Sequence, residues 1–506
     1  MQKSIKISAG ILGLLFFLNL IATPFWRITH DTVFIHYVTM LMDYFNKVPY
    51  LEIYDTSMPG TWLFHIFIAK FFGYTEAGLQ FFNFIFTIVF FFVNFFILWN
   101  LPLIARLVGS FYFLLVYQTY GQEMSLQRDV IGCLFIAISF LAATHPWFLT
   151  RKWIKNFLIG LNIGIAMAIK PQFAIGLPFL FLYGEISSIK ELLRPKFNFF
   201  IHLFICGIGV ILPLVGCYIW LVKRGALDEF WLMQKIYIPQ YIELGAGHTY
   251  FSSKIKRVLA NYKSFIYLLP YWRFGFFILA MGALLNIVHD QKNKRFWILT
   301  FILALTYSLT LIVSGQYFPY HFMSFFLFSF YFVTGFFNSE LTGRAKNLAN
   351  IGLIIILLNM AGQIPIETIK FLKGEKPHIG RNGRVDRLIK AMEDNIQPND
   401  TIQVFDWIEG ATSHAMMNLK RDHKYRFITD HIFKHHLQTE SKKKINADYL
   451  AQMKAEKPNI IIMSLKHNYP KGEFTSKSLP EDYLDFINHH YSKIFHDEDF
   501  DIYRLN

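Results

Sequence analysis

Apolar residues run almost unbroken through residues 7–26, ISAGILGLLFFLNLIATPFW, and the same texture returns at 59–73, 78–100, 108–121, 127–145, 155–169, 172–186, 199–223, 265–289, 296–314, 317–337 and 348–364. A helix of roughly 20 apolar residues spans the hydrocarbon of a bilayer, so the pattern predicts a polytopic α-helical membrane protein. Several segments fall short of that length. The first run exceeds the roughly 7–15-residue apolar core of a secretory signal and follows Lys3 and Lys6, so it is expected to stay as a first span that starts in the cytoplasm.

Basic loops set the expected sidedness. RKWIK (151–155), IKELLRPK (189–196), QKNKR (291–295) and GRAK (343–346) all face the cytoplasm if 199–223 runs outward and the loop 224–264 is external. That loop carries its own KIKR run, against the rule, and the tail then lies outside. Twelve segments with an internal start would instead return the tail to the cytoplasm. Either one segment is re-entrant or one run holds an extra span, about eleven to thirteen helices in all.

From about Lys370 the texture changes. Short β-rich runs at Ile402–Phe405 and Ile460–Met463 alternate with amphipathic, charged stretches at 383–393 and 445–455, which predicts a small α/β domain over 370–506 behind a membrane domain over 1–365. Its His431, His435 and His436 lack metal-site spacing and are expected on the surface.

Composition agrees with a membrane chain: 54% of the 506 residues are hydrophobic and 17% charged. A net charge of +14 would suit nucleic acid in a soluble protein, but here Lys and Arg cluster in the loops between spans, so the expected partner is the bilayer and not nucleic acid. Cys133, Cys206 and Cys217 all lie in apolar segments and are expected to be packing residues.

Four polar patches interrupt the apolar texture. In the loop 27–58, Asp31 follows the first span, with His30 beside it, and Asp55 precedes the second; between them HYVTMLMDYF places Val38, Leu41 and Met42 on one side of a helix that would lie in the membrane plane. Asp31 is either a carboxylate that takes or orients an acceptor's proton or the cap of a helix beginning at Thr32. In GQEMSLQRDV, Arg128 can grip a phosphate while Glu123 or Asp129 orients a sugar hydroxyl, or Arg128 and Asp129 satisfy one another. Lys170 stands at the break before Pro171, where it either snorkels or meets an anion. In SGQYFPYHFMSF, Gln316, Tyr317, Tyr320 and His321 surround Pro319, as ligand contacts or as an interfacial aromatic belt.

These patches resemble loops of the C-type (GT-C) membrane glycosyltransferases, in particular the bacterial group related to protein O-mannosyltransferases and the lipid A aminoarabinose transferase. The resemblance rests on Asp31 after the first span, KVPYLEIYDTSMPG (47–60), GQEMSLQRDV (121–130), GIAMAIKPQF (164–173) and GQYFPYHF (315–322), and covers roughly residues 1–365. It implies a GT-C-like fold with a small periplasmic α/β domain. It further implies transfer of a sugar from a polyprenyl-phosphate donor to a membrane-anchored glycan or lipid acceptor, such as lipopolysaccharide or lipid A, outside the bacterial inner membrane.

Asp31 then matches the family's base or acceptor-orienting acid, Asp55 is a second acid, and Arg128 and Lys170 serve the donor phosphate. Glu123, Asp129, Tyr317, Tyr320 and His321 complete the expected donor contacts. Two departures stand out: Asp31 is followed by Thr32, where the family often has a second acid, and Ser57-Met58 replaces a basic residue before the loop's proline. No cofactor is certain: a divalent cation stays open as an alternative, though it has no clear ligand set around Asp31. The expected chemistry is an inverting transfer. The alternatives are a protein O-glycosyltransferase of the same architecture and a lipid-linked sugar transporter or flippase, which calls for internal repeats that this chain lacks.

Overall fold

The first apolar run folds as α1 (Gln2–Ala22), which a short 3-10 turn extends to Phe25. The computed structural model describes residues 2–29, 31–186, 197–238, 270–314, 318–360, 363–375, 381–406, 411–426, 440–465 and 481–506. His30, Gln316, Tyr317, IKELLRPK, KIKR, His431, His435 and His436 lie outside the described residues. After α1 come α2 (Asp31–Asp43), α3 (Pro59–Phe72), α4 (Glu76–Ile97), α5 (Leu103–Thr119) and α6 (Arg128–Thr144).

The protein is a polytopic helical membrane protein. Among the described residues, five helices are long and apolar enough to cross a bilayer, and a pair bent by 100°, Arg273–His289 with Gln291–Thr310, raises the number to six. The other apolar runs give shorter pieces. The run 172–186 is a 3-10 turn (Pro171–Gly176) followed by a nine-residue helix (Leu177–Glu185), because Pro171 and Pro178 each remove a backbone donor. Residues 319–337 form a column of 3-10, α and 3-10 pieces that is 94% buried. It is the centre of the bundle, where Tyr331 donates to Asn94 Oδ1 at 2.7 Å.

Lipid faces and packing faces separate cleanly along the Phe197–Lys223 helix. Phe200, Phe204, Ile211 and Ile219 are exposed, as side chains against acyl chains would be. Its other side lies on the Lys152–Ile169 helix, where a Cβ on Gly160 or Gly164 would run into the backbone of Cys206 or Val210. Small residues at this four-residue spacing let the two backbones approach closely in lipid, where apolar burial alone drives little association. All three cysteines are buried, as packing residues should be.

The amphipathic stretch after Asp31 forms α2, in which every residue from Thr32 to Met42 is buried. α3 packs on it from within the bundle, and the Thr412–Asn418 helix of the carboxyl-terminal unit packs on it as well. An apolar stripe read along the chain cannot reveal a cover that arrives almost 400 residues later.

That unit is a four-stranded mixed sheet with helices. β1 (Ile402–Phe405) and β2 (Ile460–Ser464) are parallel, and β2 pairs antiparallel with β4 (Phe500–Leu505), which pairs with β3 (Tyr491–His496), giving the order β1-β2-β4-β3. The helices Arg381–Asn395 and Glu440–Ala455 contain the predicted amphipathic stretches. The unit docks through Arg27, whose guanidinium meets Glu76 of α4 at 2.9 Å and Asp386 at 3.1 Å. His414 adds a contact to Glu76 at 3.5 Å.

Candidate active site

The end of the bundle beneath this unit collects the polar patches. Asp31 is the first residue of α2, where the helix dipole favours a carboxylate. Arg128 opens α6, Lys170 caps the Lys152–Ile169 helix, and Tyr320 and His321 lie in the 3-10 turn Pro319–Phe322. Each sits at a helix end because Asp, Arg and Lys are costly in the hydrocarbon and cheap at its rim. Tyr320 Oη donates to Asp31 Oδ2 at 3.4 Å, and Arg128 Nη2 stands 4.0 Å from the same oxygen. Two patches almost 300 residues apart thus share one carboxylate.

Asp55 lies deeper. Its Oδ1 accepts from Ser57 N and Ser57 Oγ, both at 3.1 Å, and its Oδ2 accepts from Trp62 Nε1 at 3.0 Å. Arg128 Nη1 in turn donates to Ser57 Oγ at 3.1 Å. Burial pushes the Asp55 carboxyl above the ordinary carboxylate range, opposed by the Arg128 charge and by the hydrogen bonds from Trp62 and Ser57. Asp55 therefore organises the loop and, through Ser57, aims Arg128 toward Asp31.

The pairing inside QRDV differs from the self-satisfied Arg–Asp pair that the sequence allowed. Asp129 Oδ2 meets Lys170 Nζ at 2.6 Å, leaving Arg128 to face Ser57 and Asp31. A Cβ on Gly60 would meet the Ala168 carbonyl oxygen at 2.6 Å, so the start of α3 abuts the helix that ends in Lys170. Glu123 is exposed in the 3-10 turn Gly121–Glu123, where its backbone carbonyl accepts from Gln127 Nε2 at 3.1 Å. The His321 ring packs at a tilt of 54° on Tyr320, with ring centroids 4.5 Å apart.

Sequence patterns had marked Asp31, Asp55, Arg128, Asp129, Lys170, Tyr320 and His321, and these come together. They do not single out Ser57, which enters only as a departure, or Trp62, which lies inside the apolar run 59–73. The available signal was the spacing Asp-x-Ser, a common turn in which a carboxylate bonds the backbone two residues on.

Among the described residues, no three His, Cys, Asp or Glu side chains group so as to hold a metal ion. Asp31 faces Arg128 and Tyr320, Asp55 accepts from Trp62 and Ser57, and Asp129 is paired with Lys170.

A helical bundle with polar loops gathered at one end beneath an α/β unit is the fold this chain has in common with two solved structures. Among solved structures the chain is similar to ArnT from Cupriavidus metallidurans bound to undecaprenyl phosphate, at 10% identity and a TM-score of 0.57, over 99% of this chain and 98% of that one. It is also similar to the oligosaccharyltransferase AglB from Archaeoglobus fulgidus in complex with an inhibitory peptide and a dolichol-phosphate, at 12% identity and a TM-score of 0.50, over 96% and 72% of the two chains. No family model and no curated protein matches the sequence.

Proposed function

We propose that the protein is an inverting glycosyltransferase that moves a sugar from a polyprenyl-phosphate carrier to a cell-envelope glycan or lipid, at the outer face of a bacterial inner membrane. The observation that carries this is the Asp31–Arg128 juxtaposition: an accessible carboxylate and an accessible guanidinium 4.0 Å apart at the rim of a membrane bundle. The ligands named for the two similar structures, undecaprenyl phosphate and dolichol-phosphate, supply the donor class. A rim position suits such a donor, because its prenyl chain stays in lipid while its head group reaches the acids.

In the reaction, the acceptor's hydroxyl oxygen attacks the anomeric carbon from the face opposite the phosphate. The bond from that carbon to the phosphate oxygen breaks, the acceptor's proton passes to Asp31, and polyprenyl phosphate leaves with one more negative charge. Tyr320 orients Asp31, and Arg128, with Lys170 behind it, meets the charge on the leaving oxygen. Asp55 keeps Arg128 in place through Ser57.

The basic loops, four of them expected inside, favour a periplasmic position for the carboxyl-terminal unit. A protein acceptor is the second possibility, favoured by the likeness to an oligosaccharyltransferase. The test is transfer by purified protein in nanodiscs from radiolabelled polyprenyl-phosphate sugars to lipid A, core glycan and envelope protein fractions. Label in a lipid or glycan supports the assignment and label in protein supports the second. In a parallel assay with sealed proteoliposomes, label crossing the membrane on an unchanged carrier would replace both with transport.

A further inference from the structure

The six residues Arg421–Arg426 of the carboxyl-terminal unit cross three elements of the membrane bundle. Tyr37 Oη of α2 donates to the Arg421 carbonyl at 3.3 Å. Lys47 pairs with Asp422 at 3.0 Å and also bonds the His423 carbonyl. The Tyr54 amide donates to the Arg426 carbonyl at 2.8 Å, and Arg426 Nη2 meets Glu229 Oε2 of the Leu227–Leu232 helix at 2.9 Å. On its other side the segment is fixed to the unit's own core. The Lys424 amide bonds the Ile402 carbonyl of β1 at 2.8 Å, and Tyr425 packs edge-on against Tyr449.

Tyr54 is the residue before Asp55, and its ring packs on the core built from Phe405, Tyr425 and Tyr449. The hydrogen bond from the Tyr54 amide fixes the Ile53–Tyr54 peptide, one residue before the Cα that carries the Asp55 side chain. Contacts then run without a gap from Arg426 to Tyr54, Asp55, Ser57 and Arg128, with hydrogen bonds of 2.8, 3.1 and 3.1 Å. The carboxyl-terminal unit thereby reaches the candidate site without lending it a side chain.

We propose that Arg421–Arg426 is a strap that sets the position of the Asp55 loop, and that Arg426 is its positioning residue. Arg426 clamps the strap by its ion pair to Glu229, so that its carbonyl stays under the Tyr54 amide. The kinetic consequence rests on the transferase assignment, whereas the structural consequence does not.

The experiment uses the full chain in nanodiscs and reads hydrogen exchange in peptides covering residues 50–58, with peptides from 140–165 as a reference. Arg426→Ala should raise exchange at 50–58 by on the order of tenfold, the loss of one charge-assisted bond, and leave the reference unchanged. Arg426→Lys should restore protection, since the ammonium still reaches Glu229. With a labelled donor, Arg426→Ala should lower kcat by a similar order while the donor KM holds, because Arg128 is displaced but not removed. Glu229→Gln is the second variant and should give the same pattern if Arg426→Ala folds poorly. Unchanged exchange at 50–58, or an equal rise in the reference peptides, would overturn the proposal. A wild-type chain that transfers no sugar would refute the transferase assignment while the exchange result still decides the strap.

Discussion

The bundle has a second buried charge cluster toward the other end of the 18-residue Lys152–Ile169 helix, where Lys155 stands about 22 Å along the axis from Lys170. There Glu185 accepts from Asn156 at 2.9 Å and from His202 Nδ1 at 2.7 Å, and pairs tightly with Lys155, which also donates to the Gly184 carbonyl at 2.7 Å. Lys155 is 0% exposed and Glu185 3%, against 15% for Asp31 and 23% for Arg128. Both hold a carboxylate, a lysine and a histidine. One is nearly closed, although the half-exposed Lys152 reaches Glu185 at 3.9 Å; the other is more open, with the Asp31 contacts at 3.4 and 4.0 Å. Charges buried without water must be saturated by the protein itself, whereas a site that receives a charged ligand leaves its contacts long until the ligand completes them. Closure, not charge, separates the structural cluster from the candidate active one.

That distinction breaks first at Asp31. Asp31→Asn keeps the shape and a bond to Tyr320 but cannot take a proton, so kcat should fall about 10²–10⁴-fold, the usual contribution of a general base. The thermal midpoint should stay within about 2 °C of wild type. Initial rates with a labelled donor and a melting curve decide it, and retained activity would reduce Asp31 to a helix-start residue. The opposite behaviour is expected at the far end. Glu185→Leu strands the buried Lys155 without its carboxylate and should cost about 3–5 kcal/mol of stability, with the rate per folded molecule unchanged. A Glu185 variant that is fully stable but slow would erase the contrast.

Ser57→Ala probes the link between Asp55 and Arg128. It deletes one hydroxyl that both hold, worth about 1 kcal/mol, so kcat should drop roughly five-fold with little change in melting. An undiminished rate would show that Arg128 needs no help to face Asp31.

How far the chain announced this arrangement differs between its parts. Apolar run length declared the helices, because the need to satisfy backbone groups within lipid leaves few other options. The β1 and β2 runs were equally plain. β3 and β4 were not, since Tyr491–His496 and Phe500–Leu505 carry Lys493, Asp501 and Arg504 among their apolar residues and face partly outward. At the site, each polar patch was visible as an interruption of apolar texture, but the partners were not. Asp129 finds Lys170 across 41 residues and Tyr320 finds Asp31 across 289, and local pattern carries no information at such separations. Ser57 escaped notice because a small hydroxyl gives no periodic signal; only the Asp55 carboxylate two residues earlier makes it informative.

The smallest effect expected is one of pH, and it extends the contrast to the carboxyl-terminal unit. His423 is buried there, its Nδ1–H donating to the Tyr425 carbonyl at 2.9 Å, and burial together with the nearby Lys47 charge lowers its pKa to about 3. The unfolded chain binds this proton near pH 6.5, the folded chain only near 3, so the stability that a neutral His423 confers is whole above about pH 6.5 and drains away as pH falls toward 3. As a closed group remote from Asp31, His423 should bend the curve of unfolding against pH without bending the pH profile of kcat. His423→Gln should flatten the first curve below pH 6.5 and leave the second as it was. If instead the kcat profile lost its acid limb in that variant, the division between closed and open groups would fail at the strap, since His423 would then be coupled to the chemistry through Lys47 and the Asp55 loop.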